Sequence, residues 1–89
     1  MIYIRKFFGG ISSIYLVDGS IPVRELNRNM HWELPTRGPK TLSGIIVEYL
    51  ETFPRVGIGL RLQGYPIEII EVEGNKVKIA RIWPKLRIK

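Results

Sequence analysis

Apolar positions recur along the 89-residue chain with two periods. Leu42, Ile45, Ile46, Tyr49, Leu50 and Phe53 fall at i, i+3, i+4, i+7, i+8 and i+11. That spacing predicts an amphipathic helix of about three turns. Thr41 is its N-cap, Pro54 its stop, and all six apolar residues are expected to face a sheet. Ser43, Val47, Glu48, Glu51 and Thr52 fall on or near its wet side. Val23, Leu26 and Met30, behind Pro22 in a first-turn position, predict a shorter helix. Elsewhere the pattern is strand-like. Ile2 to Phe8 and Ile11 to Val17 read as strands, the second ending at the Asp18-Gly19 turn signal. Leu60–Leu62, Tyr65–Glu73 and Lys76–Trp83 read as a meander, with turns at Gly64 and at Glu73-Gly74-Asn75. The last strand changes phase, since Val77 and Ile79 share one face while Ala80 and Ile82 share the other. A bulge accounts for that. The fold class is α+β: two helices packed on a mostly antiparallel sheet, in the order strand-helix-helix-strand-strand-strand.

Composition narrows the class. Hydrophobic residues make up 45% and charged residues 25%, as in a folded globular chain. The length suits a single domain spanning 1–89. The absence of cysteine excludes disulfides, thiolate metal sites and Cys nucleophiles. No uninterrupted apolar run, Gly44 to Val47 included, approaches the roughly 20 residues needed to span a bilayer. No signal-peptide pattern opens the chain, because Arg5 and Lys6 interrupt its first ten residues. The net charge of +6 is unevenly placed. Residues 76–89 carry six cations and no acid, whereas residues 11–75 carry six basic and eight acidic residues. A basic tail, 84–89, therefore hangs on a near-neutral body, unlike the basic face of a nucleic-acid-binding domain.

Candidate chemistry is sparse. His31 is the sole histidine, and without a second His or a Cys it reads as structural rather than as a metal ligand. Asp18 reads as a turn former. Glu68, Glu71 and Glu73 read as a wet strand face rather than an acidic site. Gly57-x-Gly59 lacks the helix start of a phosphate loop, and no Ser-His-Asp set can be assembled. Trp32 and Trp83 read as packing residues rather than a stacking platform. Gly44, costly in a helix, implies a close packing contact. No catalytic residue, metal site or cofactor is expected.

The order of local motifs resembles that of the CorC/HlyC-type transporter-associated domain. Tyr15-Leu16-Val17-Asp18-Gly19-Ser20, then Pro22, then Glu25-Leu26-Asn27 is similar to that family's opening. Thr41-Leu42-Ser43-Gly44-Ile45-Ile46 and Phe53-Pro54-x-x-Gly57 look like its second helix and exit. Ile67-Glu68-Ile69, Glu73-Gly74, Val77 and Arg81-Ile82 resemble its closing hairpin. The likeness covers about residues 11–82. It marks Asp18, Gly19, Pro22, Leu26, Asn27, Thr41, Leu42, Gly44, Pro54, Gly57 and Gly74 as structural motif positions. Where the family commonly carries a Thr…acid capping box, this chain has Ile21 and Arg24, so that cap is lost.

The resemblance implies a fragment of a longer membrane protein, in which the domain follows a membrane-embedded region and a pair of CBS domains. Such proteins are hemolysin-like or magnesium and cobalt efflux proteins. The implied function is non-catalytic modulation of transport or assembly at the cytoplasmic side of the bacterial inner membrane. The implied partner is the rest of that transporter, and a homodimer is a further candidate. Lys85, Arg87 and Lys89 are candidate contacts to an anionic membrane surface or acidic partner, set against a solvated tail or a short charged edge strand. Two other function classes compete. A basic β-sheet nucleic-acid module would need paired strand aromatics that this chain lacks, so no nucleic acid is expected. A flavin or nucleotide binder rests on fold analogy alone.

Overall fold

The computed structural model describes residues 4–9 and 12–89. Five strands form one sheet: β1 (Ile4–Gly9), β2 (Ser12–Asp18), β3 (Gly59–Leu62), β4 (Tyr65–Glu73) and β5 (Lys76–Ile82). Two helices, α1 (Val23–Met30) and α2 (Leu42–Leu50), separate β2 from β3. The sheet order is β1-β2-β5-β4-β3, and every neighbouring pair is antiparallel. From β2 onward the order is the expected strand-helix-helix-strand-strand-strand. β1 adds an edge strand where Ile2 to Phe8 reads as one; Ile2, Tyr3 and Ile11 lie outside the described residues.

The helices cover one face of the sheet. Val17, Ile67, Ile69, Ala80 and Ile82 point into this layer and meet Val23, Leu26, Leu42, Ile45 and Ile46. Burial of such side chains contributes about 1.5–3 kcal/mol each, the main favourable contribution to folding. The phase change in β5 is real, and β4 shares it. The pairing runs Ile69↔Ala80, then Glu71↔Ile79, then Val72↔Val77, so one residue is left over on each strand. Two bulges therefore turn Val77 inward without breaking the hairpin.

Three expectations are corrected. Pro22 is the N-cap of α1 rather than a first-turn residue, with extended backbone at φ −62°, ψ 135°. No side chain caps α1; the Val23 N–H donates to the Lys40 carbonyl at 2.7 Å, so a backbone bridge takes over the missing capping box. α2 is also shorter than its apolar pattern. Glu51 adopts φ 56° and its N–H donates to Val47 O, which closes the helix two residues before Phe53. Leu42, Ile45 and Ile46 are buried, Leu50 is half-buried, and Tyr49 and Phe53 are 57% and 73% exposed. Ser43, assigned to the wet side, is instead buried.

Candidate functional site

The motif residues converge where β2 ends, both helices begin and β5 passes. Asp18 leaves β2 and accepts from the Ser20 N–H (2.8 Å) and the Ser20 hydroxyl (2.7 Å) on one carboxylate oxygen. These bonds hold its carboxyl below the usual carboxylate range, with Lys78 assisting and burial opposing. Gly19 follows. Its N–H donates to Lys78 O at 2.9 Å and its carbonyl accepts from Ser43 N at 2.7 Å. The buried Ser43 hydroxyl in turn accepts from Val77 N at 2.9 Å. Gly19, α2 and β5 thus interlock through three short bonds. A Cβ on Gly19 would run into the Val77 carbonyl and come within 3.3 Å of Ser43 Cβ.

The two helix starts are tied to each other. Pro22 and Thr41 form an antiparallel bridge, and Leu42 N donates to Ile21 O at 3.0 Å. The Thr41 hydroxyl caps α2 by accepting from Gly44 N at 3.0 Å. Gly44 has the packing reason its position implies: a Cβ there would sit 2.7 Å from the Pro39 ring. On α1, Leu26 is fully buried, and the Asn27 amide clamps Leu34 by donating to its carbonyl (2.9 Å) and accepting from its N–H (3.0 Å). That clamp fixes the loop after α1, whose end is set by His31 in the left-handed region at φ 58°. Pro54 is buried behind α2, Gly57 takes φ 92° where the chain enters β3, and Gly74 takes φ 62° in the β4–β5 turn.

Asp18, Gly19, Thr41 and Gly44 line one open cleft of about 430 Å³, with Glu73 and Lys76 on its far wall. The first-turn amides of α2 are already engaged: Leu42 by Ile21, Ser43 by Gly19 and Gly44 by Thr41. They offer no free donors to an anion. Among the described residues no three His, Cys, Asp or Glu side chains gather as metal ligands. Pro22, Leu26, Asn27, Pro54 and Gly57 lie away from the cleft and act on the frame.

The structure also builds a feature that the sequence pattern does not signal. The tail is not an alternating extended segment, and it is solvated only in part. Pro84–Leu86 form a single 3₁₀ turn, and Ile88 N then donates to Gly64 O at 3.0 Å. Arg87 turns inward, with only 15% of its side chain exposed. Its Nε donates to Gln63 O (2.9 Å), its Nη1 meets Glu33 Oε1 (2.6 Å), and its guanidinium lies 4.6 Å from the Tyr65 ring centre. The Tyr65 hydroxyl accepts from Glu33 N at 2.8 Å, and Trp32 packs between Tyr15 and Tyr65 at 5.5 and 6.1 Å. Arg87 holds the Glu33 carboxyl below its usual range through the hydrogen bond and its charge. Of the three tail cations, Lys85 and Lys89 are exposed while Arg87 is part of the packing. Trp32 is buried as expected, and Trp83 is half-buried beneath Arg81.

Comparison with known proteins agrees with this frame. The family model described as the CorC_HlyC transporter associated domain matches residues 12–85. The chain is 36% identical over 69 residues to the UPF0053 inner membrane protein YfjD of Escherichia coli K12. That alignment covers 78% of this chain but 16% of the relative, so the chain spans about one sixth of that protein's length. A functionally unknown conserved protein from Haemophilus influenzae Rd KW20 superposes with a TM-score of 0.82 at 34% identity, over 90% of this chain and 95% of its own. A CorC_HlyC domain from a Xylella fastidiosa Temecula1 hemolysin, solved with Mg²⁺ and Mn²⁺, gives 0.68 at 26% identity, over 85% and 89%.

Proposed function

We propose, from the premise that this chain belongs to the CorC_HlyC transporter-associated domain family, that it is a non-catalytic accessory domain that modulates or helps assemble a membrane ion transporter. The cargo class is divalent cations of the magnesium and cobalt type. The remaining partners are a membrane-embedded domain and a CBS pair in the same longer polypeptide, with this domain on the cytoplasmic side of the inner membrane. The observation that carries the reading is the family match across residues 12–85, joined to an inner membrane relative about six times as long as the aligned segment.

The geometry supports a scaffold role. Motif residues Asp18, Gly19, Asn27, Thr41 and Gly44 are spent on turns, caps and interlocks within the fold. No helix among the described residues is long and apolar enough to cross a membrane; in this proposal the membrane-embedded region is another part of the polypeptide. Lys85 and Lys89, both exposed, are the tail groups that would meet an acidic surface of that assembly or anionic headgroups.

The test is a comparison of the full-length polypeptide with a version lacking residues 12–85, in cells loaded with Mg²⁺ or Co²⁺. The reading expects the deletion to alter the rate or the concentration threshold of export while the membrane domain still inserts. Unchanged export across the full range of cation loading would sink it.

A further inference from the structure

Among the described residues β3 ends the sheet, with no strand paired to its outer edge. The phase of that edge follows from the hydrogen bonds that enter it. Ile69 N donates to Ile58 O at 2.9 Å, and the register continues as Leu60↔Ile67 and Leu62↔Tyr65. In an antiparallel pair alternate residues bond to the partner strand. Residues 58, 60 and 62 therefore bond to β4, and the peptide groups of Gly59 and Arg61 point outward, unpaired within the sheet.

We propose that this edge is a self-association surface, on which β3 of a second copy pairs antiparallel about a two-fold axis through Leu60 to give a continuous ten-stranded sheet. The occupant is another copy of this chain because its own residues complete the surface at every position of the register. Both outward residues of β3 find outward partners within the second β3 when Gly59 faces Arg61 of the second copy, and Arg61 faces its Gly59. Leu60 then stands opposite its symmetry mate on the helix-covered face, beside Tyr49, which borders the same groove.

Charge fits the same register. Arg61 shares the open face of the sheet with Glu68, which is the β4 partner of Gly59. Since Gly59 has no side chain, Arg61 of one copy reaches across it toward Glu68 of the other. Glu68 already takes one bond from Arg81 at 3.0 Å, and its second oxygen can accept from the incoming guanidinium. Among the described residues of its own chain, Arg61 reaches only the exposed Gly64 carbonyl, at 3.2 Å.

The paired segment is bounded by turns at both ends: Ile58 N donates to Arg55 O at 3.3 Å before β3, and the tail docks on the β3–β4 turn through Ile88 N and Gly64 O. Val56 and Ile88, beside those turns, are 65% and 62% exposed. The short strand and its charge would otherwise read as protection against edge pairing. Here the charge has a complementary acid one strand away in the mate.

Sedimentation equilibrium of the chain should show a reversible monomer–dimer equilibrium. Arg61→Pro removes an outward N–H without touching the β3–β4 bonds, so it should weaken association at least tenfold while leaving the thermal midpoint unchanged at concentrations where both forms are monomeric. Arg61→Glu, which places an acid against Glu68, should do the same without any backbone change. Leu60→Cys introduces the chain's sole thiol, and mild oxidation should yield a covalent dimer. A chain monomeric up to about 1 mM overturns the proposal. So does a dimer indifferent to both Arg61 substitutions, or one in which Leu60→Cys fails to cross-link. A monomer would leave the accessory-domain reading untouched.

Discussion

Replacing Gly19 with alanine adds one methyl group at the point where β2, α2 and β5 interlock. Gly19 lies outside the left-handed region, so its backbone conformation is open to any residue. The obstacle is space, because the new Cβ would overlap the Val77 carbonyl, a backbone atom that cannot swing aside. Relief requires moving β5 away from the turn. That movement strains the Gly19 N–Lys78 O, Ser43 N–Gly19 O and Val77 N–Ser43 Oγ bonds. Three hydrogen bonds at about 1 kcal/mol each, with about 1–2 kcal/mol of overpacking, predict a loss of about 4–5 kcal/mol. At roughly 0.05–0.15 kcal/mol per residue a chain of this length has about 4–13 kcal/mol in total, so the variant should be barely folded or unfolded. Gly57→Ala is the matched control. A Cβ there meets nothing within 4 Å, but φ is 92°, and the cost should be about 1–2 kcal/mol from backbone strain alone. Urea unfolding followed by tryptophan fluorescence measures both. If Gly19→Ala is too unstable to isolate, Ser43→Ala deletes the acceptor of Val77 N and should cost about 1–3 kcal/mol. A Gly19→Ala loss no larger than that of Gly57→Ala would refute the interlock.

Truncations along α2 should follow burial rather than apolar spacing. Ile46→Ala, at a fully buried site, should cost about 2–5 kcal/mol, half-buried Leu50→Ala less, and exposed Phe53→Ala about 0.5 kcal/mol or under, all read from urea midpoints. For Asp18 the sign follows from its depressed folded pKa: the stabilisation is present above the unfolded value of about 3.9 and is lost as pH falls through the folded one. Wild type should therefore exceed Asp18→Asn in thermal midpoint at pH 7, and the gap should shrink below about pH 4. A gap that stays constant down to pH 2 would show that the Ser20 bonds do not depend on the carboxylate's charge.

Local pattern carried much of this protein. The strands of the meander, the turns at Gly64 and Gly74, the Thr41 cap and the apolar faces of both helices follow from propensities and periods that neighbouring residues set among themselves. The phase break near Ile79 was also legible, because a strand cannot bury both Val77 and Ala80 without a bulge. Tertiary structure decided what distant residues impose. Ser43 turns inward because Gly19 and Val77 meet it there, residues 24 and 34 positions away in the chain. Tyr49 and Phe53 stay exposed because α2 closes on a left-handed Glu51, a role that composition assigns to glycine rather than glutamate. Arg87 enters the packing rather than solvent because Tyr65, Gln63 and Glu33 form a seat for it, and no periodicity within a tail of six residues can register a partner 54 positions earlier. Patterns report which face of an element is apolar; only the assembled fold determines which of those faces finds a surface to cover it.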